Sequence, residues 1–233
     1  SNLPGYGQST GKPSEKNCYA DIEATLRCLK EKYGVQEDRV ILYGQSIGSG
    51  PSVDLAARMN KLGGVVLQGA ILSGLRVIFP VKKTYYFDIF NNVDKIERVN
   101  CPVLVMHGTL DEVVDFSHGE QLWDLCKEKF QPLSVMHGRH NDLESFRVFS
   151  SHLKKFLSSV ERRLLLSSTS ESYRQEPSIE HLRCPLTLSV EQRSNSKISP
   201  TQISVDVRIN SIAARGQFLF PTALLAYAKM GAF

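Results

Sequence analysis

A parallel sheet flanked by helices, the α/β class, is predicted by three features of the sequence. Short β-rich apolar runs alternate with amphipathic stretches, several of those runs close on a glycine, and the polar loops that follow them carry Ser, Asp and His. The first element is a helix from Asn17 to Tyr33, with Ala20, Ile22, Leu26, Leu29 and Tyr33 as its apolar residues and Gly34 as its stop. Val40 to Tyr43 reads as a strand, and a helix of small residues follows at about Ser49 to Met59. Gly64 to Leu67, Val103 to Met106 and Leu133 to Val135 repeat the strand signature. Further helices follow at about Phe116 to Glu128 and Asp142 to Leu157. In such an alternation the strands run parallel, and ligands gather at their carboxyl ends.

One stretch breaks the rhythm. Gly69 to Val99 is long and aromatic, with Phe79, Tyr85, Tyr86, Phe87 and Phe90. Two readings are open: a hydrophobic segment packed on the sheet, or a lid or acyl-binding wall near the reacting group. Lys82 and Lys83 could face acidic lipid headgroups or solvate a loop.

The chemistry concentrates in three loops. Gly44-Gln45-Ser46-Ile47-Gly48 joins the strand ending at Tyr43 to the following helix, the order that a nucleophilic serine elbow requires. The alternative is a plain turn in which Ser46 caps a helix. That alternative calls for no acid and no histidine downstream, and both are present. The glycine turn after Val103 to Met106 leads into Thr109-Leu110-Asp111-Glu112, and Pro132 to Met136 leads into His137-Gly138-Arg139-His140-Asn141-Asp142. Chain order is Ser, Asp, His, with spacings of 65 and 29 residues that leave room for intervening strand and helix units.

Each type has its own task. Serine is a poor nucleophile at neutral pH, so a histidine with an ordinary pKa near 6.5 must take its proton, and a carboxylate must fix the imidazole tautomer. We assign Ser46 as nucleophile, His140 as base and Asp111 as orienting acid, with the Ile47 backbone amide as oxyanion donor at the start of the helix. His137 is a rival for the base, and Glu112 and Asp115 for the acid. His107 reads as a structural residue bonded to nearby loop backbone, His118 and His152 as residues of solvated helices, and His181 as part of the later, serine-rich stretch.

With these motifs in place, a resemblance stands out. Gly5-Tyr6-Gly7-Gln8-Ser9-Thr10-Gly11-Lys12-Pro13-Ser14-Glu15, Tyr19 to Ile22, Ile41 to Gly48, Lys83-Thr84-Tyr85, His107-Gly108-Thr109, Asp111-Glu112-Val113, Asp115 to Gly119 and Gly138 to Asp142 resemble the α/β-hydrolase domain-containing protein 17 family. The resemblance runs from about Gly5 to Phe156. It implies an α/β-hydrolase fold, a triad at Ser46, Asp111 and His140, and removal of palmitoyl groups from cysteines of membrane-attached proteins. It also implies strands and a His-Gly-Asn oxyanion loop ahead of the matched region. No residue here matches that loop, so a domain lacking its first strands is expected.

Composition bounds the remainder. The chain has 233 residues, 42% of them apolar, enough for a core in the 1–158 segment that we read as the α/β-hydrolase domain. Residues 159–233 hold twelve serines and four scattered prolines, and read as a low-complexity, disordered tail with strand-like stretches at Gln202 to Ile209 and Phe218 to Ala228. Nine basic against six acidic residues in that tail are too dilute for a nucleic-acid patch, so no nucleic-acid partner is expected. Five cysteines without C-x-x-C spacing argue against a disulfide framework or a metal site; no metal or cofactor is expected. A polar start and the absence of a long apolar span point to a cytoplasmic protein, not a secreted one, with peripheral contact at membranes as an option.

The expected activity is hydrolysis of acyl esters or thioesters, with S-acylated proteins or small acyl esters as substrates. Two alternatives stay open: a general carboxylesterase or peptidase-like hydrolase, and a truncated, catalytically impaired product that acts at most as a binding module.

Overall fold

The computed structural model describes residues 14–172 and 224–228. Helix α1 (Glu15–Tyr33) starts where the Ser14 hydroxyl accepts the Asn17 N–H at 3.1 Å and stops at Gly34, as the sequence predicts. Its Cys18, Ile22, Leu26 and Leu29 form the inward stripe. Then come β1 (Val40–Gln45), α2 (Ser49–Arg58), β2 (Gly64–Gln68), α3 (Gly74–Ile78), β3 (Val103–Gly108), α4 (Phe116–Leu125), β4 (Leu133–Val135), α5 (Arg147–Ser172) and β5 (Leu224–Ala228).

All neighbouring strands pair in parallel, in the order β4-β3-β2-β1-β5. Alternate strand residues feed two cores. Val40, Leu42, Val65, Leu67, Val103 and Val105 meet Ile22 and Leu26 of α1, Val53 and Ala56 of α2 and Leu122 of α4. Ile41, Tyr43, Val66, Leu104 and Met106 meet Phe149, Phe156 and Val160 of α5. Because both faces are covered, β1 to β3 carry continuous apolar runs, the signature that made them legible in the sequence.

Several expectations change. Helix α4 ends at Leu125, short of the predicted Glu128, and the predicted helix from Asp142 begins instead at Arg147, after a single turn at Leu143–Ser145. Helix α5 runs on to Ser172, so the division placed after residue 158 falls inside it. Within the predicted strand-like stretch Phe218 to Ala228, residues Leu224–Ala228 form β5, aligned from Val40 opposite Leu224 to Gly44 opposite Ala228. Gln202 to Ile209, His181, Cys184 and the motif from Gly5 to Pro13 lie outside the described residues.

Candidate active site

Parallel pairing puts the carboxyl ends of β1, β2, β3 and β4 on one side of the sheet, and every residue singled out as a site candidate follows one of those ends. Ser46 directly follows β1, half-buried, with φ at 53°. This left-handed conformation is disfavoured for a side chain with a Cβ and persists only where surrounding structure enforces it. What enforces it is close packing of strand on helix: a Cβ on Gly44 would stand 2.7 Å from the Gly48 carbonyl oxygen and 2.7 Å from the Ser49 Cα. The Ser49 hydroxyl donates to the Ser46 carbonyl at 2.6 Å, and the fully buried Asn92 amide donates to that same Ser49 oxygen at 3.0 Å and to the Ile71 carbonyl at 2.8 Å. The turn is thus tied to the loop after β2 and to the segment before β3. Ile47 is the middle residue of the short helical turn Ser46–Gly48 that runs into α2, so its backbone lies at that helix's positive end.

The acid and histidine loops are stitched together by backbone. Thr109 N–H donates to the Val135 carbonyl at 3.0 Å and Leu110 N–H to the Gly138 carbonyl at 2.9 Å, while the Thr109 hydroxyl accepts the His137 N–H at 2.9 Å. This brings Asp111 and His140 together: His140 Nδ1 lies 2.8 Å from Asp111 Oδ2 and 3.0 Å from Oδ1. The carboxylate also accepts the amides of Val113 at 2.9 Å and Val114 at 2.8 Å on Oδ1. Burial opposes its charge. The donors from His107 and His140 and the two amides outweigh that and hold the carboxyl well below the usual carboxylate range. Asp111 is therefore an ionised acceptor, suited to keep a proton on His140 Nδ1 and leave Nε2 as the basic nitrogen.

His140 extends across the sheet. Past β2, at Gly69 (φ 51°), a Cβ would stand 3.3 Å from His140 Cε1, from its Nδ1 and from Asp111 Oδ2. Strand β2 is the neighbour of β1. The imidazole anchored beyond β4 thus reaches the β2 loop, one strand from Ser46.

The other candidates fall elsewhere. His137 is exposed with φ at 62°, and its backbone rather than its ring serves the loop. Asp115 is exposed and caps α4 by accepting the Ser117 N–H at 2.9 Å, and Glu112 is exposed and reaches only the His140 backbone N–H, at 3.4 Å. His118 and His152 are not on solvated faces: both are buried, because α4 and α5 turn them inward. His118 Nδ1 accepts the Leu72 N–H at 3.2 Å, and His152 Nε2 lies 2.8 Å from the Gln131 carbonyl oxygen. His107 is buried and does bond loop backbone, the Val114 carbonyl at 2.9 Å, but it touches Asp111 as well. Sequence reasoning missed Gly69, Ser49, Asn92 and that second contact of His107. A glycine directly after the β2 run was a visible signal for Gly69; nothing in spacing marks Asn92, which lies 43 residues from Ser49.

In the aromatic stretch, Gly74 N–H donates to the Ile89 carbonyl at 2.8 Å and the Leu75 N–H to the buried Asp88 carboxylate at 2.9 Å, closing residues 74–89 into a loop. Phe90 packs inside, but Phe79, Tyr85, Phe87 and Ile89 are exposed and Tyr86 is 99% exposed. Tyr85 and Phe87 stack with ring centres 5.5 Å apart.

Of the cysteines, Cys18, Cys28, Cys101 and Cys126 are free. Burial pushes the Cys18 thiol up to about 11 and those of Cys101 and Cys126 up to about 12, which leaves them unreactive. Among the described residues no group of three or more His, Cys, Asp or Glu side chains stands ready to hold a metal ion, and no helix is long and apolar enough to cross a membrane.

Known proteins resemble this chain in sequence and in fold. The chain is 52% identical over 155 residues to alpha/beta hydrolase domain-containing protein 17B of Homo sapiens, matching 66% of this chain and 54% of that protein. It is equally 52% identical to alpha/beta hydrolase domain-containing protein 17C of Xenopus tropicalis, over 66% of this chain and 50% of that protein. The chain thus spans about half the length of these curated relatives. In fold it is similar to an alpha-beta serine hydrolase homologue from Coxiella burnetii, with a TM-score of 0.52 at 17% identity over 66% of each chain. Residues 5–142 match the family described as Serine hydrolase (FSH1), and with a strained serine turn and a bonded His-Asp pair at the same sheet edge, the chain belongs to that family.

Proposed function

We propose that this chain cleaves acyl thioesters, with S-acylated proteins as substrates, through Ser46, His140 and Asp111. The observation that carries the reading is the His140 imidazole, bound by Nδ1 to Asp111 and lying against Gly69 beside the β1 elbow. His140 Nε2 takes the Ser46 hydroxyl proton as Oγ attacks the acyl carbonyl. The tetrahedral oxyanion lies at the Ile47 amide and the α2 N-terminus, and the thiol leaves with the proton from His140. Water then repeats the sequence on the acyl-serine and regenerates Ser46. A thiol leaving group, with an ordinary pKa near 8.5, departs with less help from the acid than an alcohol needs. The exposed aromatic loop, with exposed Lys82 and Lys83, favours a substrate presented at a membrane surface, since Tyr and Phe settle at the boundary of hydrocarbon and water.

An active-site-directed fluorophosphonate tests the reading. The chain is labelled at Ser46, and Ser46→Ala abolishes the label; absence of labelling in the unsubstituted chain, or equal labelling of both, overturns it. Turnover of a palmitoyl-cysteine peptide against a short ester and an unacylated peptide then places the substrate, with preference for the short ester or the peptide rejecting the thioesterase assignment.

A further inference from the structure

A second imidazole stands on the carboxylate. His107 Nε2 lies 3.2 Å from Asp111 Oδ2, the same oxygen that His140 Nδ1 approaches at 2.8 Å, and 2.9 Å from the Val114 carbonyl oxygen. Both side chains are almost wholly enclosed, with 2% of His107 and none of Asp111 exposed. A carbonyl and an ionised carboxylate only accept, so the nitrogen shared between them carries the hydrogen. The Nε2–H tautomer follows, and Nδ1 then holds a bare lone pair. That lone pair is buried without a partner, which costs it the solvation it had in water. The ring is also wedged into place: a Cβ on Gly119 would come within 2.5 Å of His107 Nδ1, and Phe116 meets the ring edge-on at 5.7 Å between centres.

A histidine needed only for packing would leave neither a bare buried nitrogen nor a donor aimed at the orienting acid. We propose that His107 is a positioning residue: by donating Nε2–H to Asp111 it fixes the carboxylate opposite His140 and so sets the tautomer of the base. The inference rests on the proposed roles of Asp111 and His140. Oδ2 has an imidazole nitrogen on each side, His140 Nδ1 at 2.8 Å and His107 Nε2 at 3.2 Å, while Oδ1 accepts the Val113 and Val114 amides, so a swing of the carboxylate away from His140 would forfeit contacts on both oxygens. The other titratable groups around His107 are Asp115 at the end of the loop and His118 on α4.

His107→Leu removes the donor and keeps most of the volume; His107→Gln places an amide N–H where Nε2 stands. In the full chain, the far-downfield proton resonance of His140 Nδ1–H is expected to be present with His or Gln at 107 and lost with Leu. Turnover falls by up to about 100-fold in His107→Leu with KM unchanged, the scale of a misplaced catalytic group, and is largely restored in His107→Gln. Nitrogen-15 shifts of the unsubstituted protein identify His107 as the Nε2–H tautomer. An Nδ1–H tautomer at His107 overturns the proposal, and so does a His107→Leu variant that keeps both the downfield resonance and its turnover while losing only thermal stability. If that variant does not fold, the tautomer of the unsubstituted protein decides. These spectra need no activity, so a chain that fails to react with fluorophosphonate yet shows the predicted resonances rejects the serine mechanism and leaves the His107 contact standing.

Discussion

Gly69 lies against the His140 ring so closely that a Cβ there would stand 3.3 Å from Cε1. That contact lets an imidazole anchored after β4 lean across β3 and β2 toward the turn after β1. Gly69→Ala should therefore act twice. The backbone at φ 51° disfavours an L side chain by about 1–2 kcal/mol, and the added methyl pushes on the imidazole. A modest drop in the melting temperature, with turnover of a short ester falling by up to about 100-fold, is the expected pair of results. Unchanged turnover would show that the ring tolerates displacement.

Asn92 is wholly buried and bonds both Ser49 and Ile71. Asn92→Ala leaves the Ile71 carbonyl without that donor, a loss of roughly 1–3 kcal/mol, and frees the Ser49 hydroxyl that steadies the Ser46 carbonyl. Chemical denaturation should report the stability loss, and the rate of fluorophosphonate labelling at Ser46 should fall with it.

His118 makes stability depend on pH. Burial lowers its pKa from the ordinary value near 6.5. A base whose folded pKa is depressed contributes fully above its unfolded pKa, and the contribution is lost as pH falls through about 6.5 toward the folded value. The denaturation midpoint should thus decline as pH falls from about 7 through about 6.5 and below. His118→Asn keeps an acceptor for the Leu72 N–H and does not titrate, so its midpoint should be flatter across that window. An equally steep decline in both proteins would assign the effect to another group.

Phe156 joins α5 to the sheet. It is fully buried, and its ring edge stands where Gly64 offers no side chain, 2.8 Å from the position a Cβ would take. Phe156→Ala opens a cavity between α5 and β2 and should cost about 3–5 kcal/mol, read from the urea midpoint. A loss below about 1 kcal/mol would mean that α5 collapses into the space.

The strands were legible because covering a parallel sheet on both faces demands uninterrupted apolar runs, and Val40 to Tyr43 and Val103 to Met106 are such runs. Ends were harder to read. The Asp142 loop and the start of α5 at Arg147 depend on how Leu143 packs into the core beside Gly138, a contact with no period in the chain. The extension of α5 and the pairing of Leu224–Ala228 with β1 likewise depend on partners distant in sequence.

For the site, residue type and order alone singled out Ser46, Asp111 and His140, because proton transfer from a hydroxyl restricts which side chains can serve and a parallel sheet restricts where they stand. What only three dimensions decided was which groups surround them. His107 on Asp111, Gly69 against His140 and Asn92 behind Ser49 are contacts between segments tens of residues apart or across a folded loop, and His118 and His152 are buried by the angle at which their helices pack. A linear pattern records which side chains are available; their distances, burial and hydrogen-bond partners exist only once the chain has closed around them.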